Sequence, residues 1–173
     1  MWSLKRVTEV STLLANITVV VSLSIAVMSY VQQYRQTKKD AAVALVNGFN
    51  TGEMLAIQRR LSVEFAKLKL GRFSDVAIER STIGAIVENM VSASDAPLET
   101  QQDIITLVSY LDDIAVCVEA ETCDKDVVAG SLGESATRYA CLLLPYTDTL
   151  GEELLLEGLG GRLRALVDYQ SNC

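Results

Sequence analysis

Four cysteines are the residues with the most evident chemical potential in this chain. They are Cys117, Cys123, Cys141 and Cys173, and the 173-residue sequence contains no histidine to work beside them. Catalytic serine and cysteine mechanisms that use imidazole as the base are therefore excluded. The cysteine spacing fits no zinc pattern, and a zinc site would lack a histidine ligand. We predict no catalytic, cofactor or metal site, and a protein that is not an enzyme.

The state of these cysteines depends on the compartment. In the reducing cytoplasm they would remain free thiols, which is the reading that we favour from the sequence. The alternative is a disulfide between Cys117 and Cys123, which lie six residues apart across a predicted helix end. That bond requires the turn between them to bend back on the helix.

Six acidic residues lie between positions 112 and 126. They lack the alternating oxygen ligands and central glycine of a calcium loop. We favour a solvated acidic rim, with docking to a basic partner as the alternative. The residues that would carry such docking are Asp112, Asp113, Glu119 and Glu121.

One basic cluster occurs in the segment that follows the apolar N-terminal part. Its members are Arg59, Arg60, Lys67, Lys69 and Arg72. Arg59 and Arg60 could contact anionic lipid headgroups or an acidic partner. We favour internal ion pairs instead, with Glu53, Glu64 or an acid of the last half of the chain.

Composition excludes two further classes of protein. Half of the residues are hydrophobic and the mean hydropathy is +0.27, which is incompatible with a disordered chain. The net charge is −7, divided into +4 over residues 1–39 and −11 over residues 95–173. Such an acidic protein is not expected to bind nucleic acid.

A charge-free run of 25 residues separates Glu9 from Arg35. It exceeds the roughly 20 residues needed to cross a bilayer, and basic residues flank both of its ends. We predict a single transmembrane helix over 10–34, after an N-terminal flank at 1–9. The alternatives are a cleaved signal peptide, with a small-x-small site at 24–26, and a buried core helix.

Polar residues inside this span indicate what it contacts. Asn16, Ser22 and Ser29 recur at spacings of six and seven residues, which favours packing against another helix in the membrane. The partners that we expect are membrane lipid and other membrane proteins or a larger membrane complex. A homo-oligomer is also compatible with this pattern.

Positive residues give the orientation of the span only a small bias. Three basic side chains follow it, whereas two and the α-amine precede it. Because basic side chains are retained on the cytoplasmic side, this count predicts a cytoplasmic C-terminal domain.

Helical periodicity dominates the rest of the chain. We predict a juxtamembrane helix over 35–52, a capping box at 50–53, and a bundle of four or five helices over 53–157. Pro145 is expected to end the fifth helix, and a glycine hinge with a terminal turn occupies 158–173. The fold class is all-α.

Two sequence blocks resemble a bacterial family of membrane-anchored helical proteins that is defined as a domain of unknown function. One block is Phe49–Met54 followed by Arg59–Leu61, and the other is Leu107–Val116. The resemblance implies one or two N-terminal membrane spans and a cytoplasmic helical domain, in the inner membrane of a bacterium. Some relatives carry a phage abortive-infection label, and no reaction accompanies the resemblance.

These observations predict a non-enzymatic, single-pass membrane protein. The leading hypothesis is an accessory or structural subunit that binds other membrane proteins. The alternative is a membrane-anchored regulatory or phage-defence sensor that acts by oligomerisation.

Overall fold

The structure, a computed structural model, describes residues 4–68, 79–154 and 158–173. Within these residues it contains seven helices and no strand, which confirms the all-α prediction of a long apolar helix followed by a bundle. The helices are α1 (Leu4–Phe49), α2 (Gly52–Lys67), α3 (Arg80–Ala93), α4 (Pro97–Glu119), α5 (Lys125–Leu154), α6 (Gly161–Leu166) and α7 (Tyr169–Asn172).

The chain divides into two compact units, Met1–Lys38 and Lys39–Cys173, and the division falls within α1. The predicted juxtamembrane segment 35–52 is therefore divided between the two units, and the end of α1 belongs to the second. Ala42 and Phe49 are buried in its core, at 0% and 1% exposure. The predicted end of the bundle at residue 157 lies outside the described residues.

Helix α4 occupies the centre of the second unit. Most of its apolar side chains are buried, and α2, α3, α5 and α6 all contact it. Burial of several large aliphatic side chains is the main driving force for a bundle of this size. The α4 residues with 1% exposure or less are Ile104, Leu107, Val108, Leu111 and Ile114.

The junction between α1 and α2 differs from the capping box predicted at 50–53. No side chain caps the N-terminus of α2. Instead, the Thr51 hydroxyl donates to the carbonyl of Asn47, and the Gln58 amide donates to the carbonyl of Phe49 at 2.6 Å. The polar side chains at this junction thus satisfy the last carbonyls of α1, which have no intrahelical donor.

Helix α5 continues through Pro145 to Leu154, so the predicted stop at Pro145 is wrong. Proline removes one backbone donor and costs about 3 kcal/mol in a helix interior. Its neighbours Leu144 and Tyr146 are buried, and a Cβ on Gly84 of α3 would lie 3.1 Å from the Pro145 carbonyl oxygen. The helix persists because close packing against α3 outweighs the lost hydrogen bond.

The glycine segment before α6 forms a tight turn instead of the predicted hinge. Gly158 and Gly160 have φ of +88° and +75°, a region that side chains disfavour. A Cβ on Gly160 would lie only 2.3 Å from Leu144 Cδ2. The turn is therefore packed tightly against α5.

Tyr110 links the end of α1 to α4. Its hydroxyl donates to the carbonyl of Leu45 at 2.9 Å, and its ring centroid lies 6.2 Å from that of Phe49. Burial raises the pKa of Tyr110, and the negative charge of Asp113 adds to the effect. The folded protein therefore holds the phenolic proton more tightly than the unfolded chain does.

We expect Gly160→Ala to destabilise the bundle by about 2 kcal/mol or more, because it combines a positive φ with overpacking. Gly130→Ala is the matched control, since Gly130 is an exposed α5 residue with open space around it. The control should be neutral or stabilising by about 0.5–1 kcal/mol. Chemical denaturation followed by circular dichroism measures both. Equal stabilities of the two variants would contradict the packed turn.

We expect a pH dependence of stability from Tyr110. Its pKa is raised on folding, so its contribution is fully present below pH about 10 and is lost as the pH rises through the folded-state pKa. Tyr110→Phe should reduce stability by about 1 kcal/mol at pH 8 and make the loss above pH 10 shallower. Denaturation series from pH 8 to 11 test this, and parallel profiles for the two proteins would refute it.

Candidate interaction surface

Two disulfides cross-link the helices of the bundle. Cys117 pairs with Cys123, and Cys141 pairs with Cys173, each with a Cα–Cα distance of 5.3 Å. That separation lies within the usual range for disulfides. No cysteine is free, so the favoured prediction of free thiols is wrong for this structure.

The Cys117–Cys123 bond is the alternative that the sequence analysis kept open. The turn after α4 bends back on the helix, because the Cys117 carbonyl accepts from the backbone amides of Thr122 and Cys123 at 3.0 and 3.1 Å. This reversal brings Cys123 onto the helix end and buries it, at 4% exposure. The bond joins the end of α4 to the residue two positions before α5.

The Cys141–Cys173 bond was not predicted. It ties the end of the chain, after α7, to the middle of α5 across 32 residues. The guanidinium groups of Arg80 and Arg164 lie 4.8 and 5.0 Å from the Tyr169 ring centroid and hold the same segment from two helices. Cation–π contacts at these distances are favourable. The chain end is thus fixed both covalently and by charge.

An apolar recess lies between the cross-linked helices α4, α5, α6 and α7. Its volume is about 200 Å³, below the roughly 300–1,000 Å³ of sites that enclose a drug-sized ligand. A space of this size admits one or two side chains and is too small for a nucleotide cofactor. Its apolar lining includes Leu111, Ile114, Val128, Leu132, Leu166 and Val167.

Arg60 forms an internal ion pair, in agreement with the favoured interpretation of the basic cluster. Its guanidinium donates two hydrogen bonds to the Asp103 carboxylate, at 2.6 and 2.7 Å, and Glu99 lies 3.7 Å away. These bonds raise the pKa of Arg60. Asp103 is buried, with 8% of its side chain exposed, so the pair joins α2 to α4. Arg59, the other candidate, is exposed.

A second recess of about 220 Å³ opens beside this pair. Its carboxylates are held by cations: Lys67 lies 2.8 Å from Glu64 and 3.6 Å from Asp95. Ion pairs as exposed as those of Lys67 contribute little stability. The recess is therefore lined by an ion-pair network between α2 and the start of α4.

Two of the four acidic candidates have structural roles. Asp112 accepts a hydrogen bond from the backbone amide of Leu163 at 2.8 Å, in the first turn of α6. Glu119 accepts two bonds from Arg162, at 2.5 and 2.7 Å. Both acids hold α6 against α4, and they are seven residues apart on one face of α4.

The other two acidic candidates are exposed. Asp113 lies on α4, and Glu121 lies in the turn after it with a φ of +54°. The structure therefore does not gather the four acids into one free patch, because half of them bind α6. A docking surface made of all four remains without structural support.

The three polar candidates in α1 are all exposed. At about 100° per residue, Ser22 and Ser29 share one face, whereas Asn16 lies about 120° away from Ser22. The spacing of six and seven residues thus describes two faces of the helix.

Across the part of the chain that the structure describes, no group of three or more acidic or cysteine residues could hold a metal ion. Comparison of the chain with family models, curated proteins and solved structures finds no match. The family resemblance of the two sequence blocks therefore stays an expectation.

Sequence reasoning missed Asp103, Tyr110 and the partners of α6. One signal was available, because Asp103, Tyr110 and Cys117 recur every seven residues beside the apolar positions of α4. Such a polar line within a buried helix indicates neighbours that offer hydrogen bonds. The pairing of Cys141 with Cys173 had no comparable signal, because it depends on how the chain end returns.

We expect the Cys141–Cys173 bond to stabilise the protein more than the Cys117–Cys123 bond. The entropy of closing the longer loop corresponds to about 3.7 kcal/mol, against about 2.4 kcal/mol for the shorter one. Denaturation of the C141A/C173A and C117A/C123A double variants measures the two losses. Equal losses, or a larger loss for the shorter loop, would contradict this ranking.

Proposed function

We propose that this chain is a non-enzymatic, single-pass membrane protein whose helical domain serves as an accessory or structural subunit for other membrane proteins. The observation that carries the proposal is the exposed apolar length of α1. Every described side chain from residue 16 to residue 34 is exposed, and Asn16–Phe49 contains a segment long and apolar enough to cross a bilayer.

The exposure of this helix argues for lipid as its surroundings. Val19 and Leu23, on one side of the helix, are 66% and 65% exposed, and Met28, on the opposite side, is 70% exposed. Soluble proteins rarely leave a continuous apolar surface of this length in water. No part of this apolar segment is buried, which disfavours a helix in the core of a soluble protein. A signal sequence can be equally long and apolar. Cleavage of residues 1–26 would distinguish it from an anchor.

We infer that the bundle lies outside the cytoplasm. The cytoplasmic placement depends on an excess of one basic side chain, whereas two disulfides favour an oxidising compartment. Lys5 and Arg6 before the span are compatible with retention of the N-terminal end inside. For a bacterial inner-membrane protein, the oxidising side is the periplasm.

The modest size of the recesses supports a binding role over a catalytic one. The two described above, and a third of about 190 Å³ beside Glu119 and Arg162, are smaller than typical substrate sites. The disulfides brace the same helices, and a rigid surface loses little entropy on binding a partner. These features suit contact with a protein.

The second candidate function is a regulatory or phage-defence sensor that acts by oligomerisation. One observation favours it, the exposed amide of Asn16 in the apolar part of α1. Polar groups at such positions promote association of helices in membranes.

We expect the full-length protein to resist alkaline carbonate extraction and to carry four oxidised cysteines in cells. Cells are quenched with acid, free thiols are alkylated, and intact mass spectrometry then counts the modified cysteines. No modification is expected on the periplasmic side, and prior reduction should add four alkyl groups as the control. Four modified thiols without reduction would place the bundle in the cytoplasm. A mature protein without residues 1–26 would identify a signal peptide.

A further inference from the structure

The polar side chains in the apolar part of α1 differ in whether they find a hydrogen-bond partner within the helix. The Thr18 hydroxyl donates to the carbonyl of Leu14 at 2.9 Å, and the Ser24 hydroxyl donates to that of Val20 at 2.8 Å. Serine and threonine hydroxyls can donate a hydrogen bond to a carbonyl of the preceding turn in this way. These two residues are therefore compatible with lipid without any partner.

Asn16 cannot be satisfied in the same way. Its amide makes no hydrogen bond within the described residues, although it carries two donor hydrogens and an acceptor oxygen. Asn50 and Asn89 each donate to a carbonyl four residues earlier at 2.9 Å, so one donor can be used locally. The oxygen cannot, because the backbone amides in the interior of a helix are already paired.

The depth of Asn16 makes this unpaired oxygen costly. It lies about 9 Å along the helix axis from Val10, where the charge-free segment begins, and about 28 Å from Arg35. A short amide side chain at that depth does not extend to the headgroups, and hydrocarbon offers no donor. A donor on another protein helix would remove this cost.

We propose that Asn16 pairs with Asn16 of a second copy of this chain, across a two-fold helix–helix contact in the membrane. The proposal rests on the single-pass anchor proposed above. Copies that share one orientation place Asn16 at the same depth, and the side chain is complementary to itself. The Oδ1 of each copy accepts a hydrogen from the Nδ2 of the other, so both amides are satisfied by one symmetric contact.

The residues that follow Asn16 on the same face extend the contact. At offsets of 4, 7, 11 and 14 they fall within about 40° of Asn16 on the helix, in the spacing of a left-handed helix pair. None of them is charged, and each is 56–71% exposed, so the whole face is free for a second helix. They are Val20, Leu23, Val27 and Tyr30, and we call them, with Asn16, the Asn16 seam.

Ser22 and Ser29 lie more than 90° away from the Asn16 seam and provide the matched control. Their hydroxyls are on the opposite side of the helix, so a dimer through the seam leaves them facing lipid or a different protein. A contact that uses the seam and a contact that uses the two serines therefore make different predictions.

The test is energy transfer between donor- and acceptor-labelled full-length protein, with its disulfides intact, in phosphatidylcholine–phosphatidylglycerol vesicles. Fluorophores are carried on a C-terminal peptide tag, and the protein-to-lipid ratio is varied. Asn16→Leu should weaken the dimer by about tenfold, a size typical of a polar pair between membrane helices. Asn16→Gln should retain association within about twofold, and S22A/S29A should match the wild type.

Several outcomes overturn the seam. They are absence of transfer at every protein density, unchanged association of Asn16→Leu, and an equal loss in S22A/S29A. A different protein whose binding in native membranes depends on Asn16, with no self-association, would also replace the second copy as the partner. Alkaline carbonate extraction of the same samples separates the two proposals. Extracted protein refutes the anchor and the seam together, whereas integrated but monomeric protein refutes the seam alone.

Discussion

Burial of the apolar face of α4 is the constraint on which the rest of the bundle depends. Its aliphatic side chains fill the core, and α2, α3, α5 and α6 pack against it, while Tyr110 also contacts the end of α1. A polar side chain on or beside the buried face of this helix needs a partner on a neighbouring element. The side chains that have one are Asp103, Tyr110, Asp112, Cys117 and Glu119.

These contacts set the positions of several neighbouring elements. Asp103 binds Arg60 of α2, Tyr110 binds the end of α1, and Asp112 binds the first turn of α6. Hydrophobic packing is non-directional and allows one helix to slide on another, whereas hydrogen bonds between fixed positions do not. The polar residues of α4 therefore account for the register of the helices around it. Arg60 of α2 also compensates part of the acidic excess of the last half of the chain, because it pairs with Asp103.

The two units of the chain suit two different surroundings. The apolar segment of α1 exposes aliphatic side chains in all directions, which water disfavours and lipid accepts. The bundle keeps its aliphatic residues inside and carries two disulfides, which persist in an oxidising aqueous compartment. Both features support a membrane protein with an extracytoplasmic domain, and they are independent because one concerns solvation and the other redox chemistry.

Periodicity and composition by themselves determined the all-α class, the apolar N-terminal helix and most of the core, since 3.6-residue spacing identifies a buried face without knowledge of its neighbours. An internal ion pair of Arg60 with an acidic residue was also predictable, because a charged side chain that packs between helices needs an opposite charge nearby. Tertiary structure alone decided that Asp103 is that acid and that α5 continues through Pro145, since both depend on which helices meet. It also decided that Cys141 meets Cys173, because 32 residues of chain can return in many ways and only packing selects one.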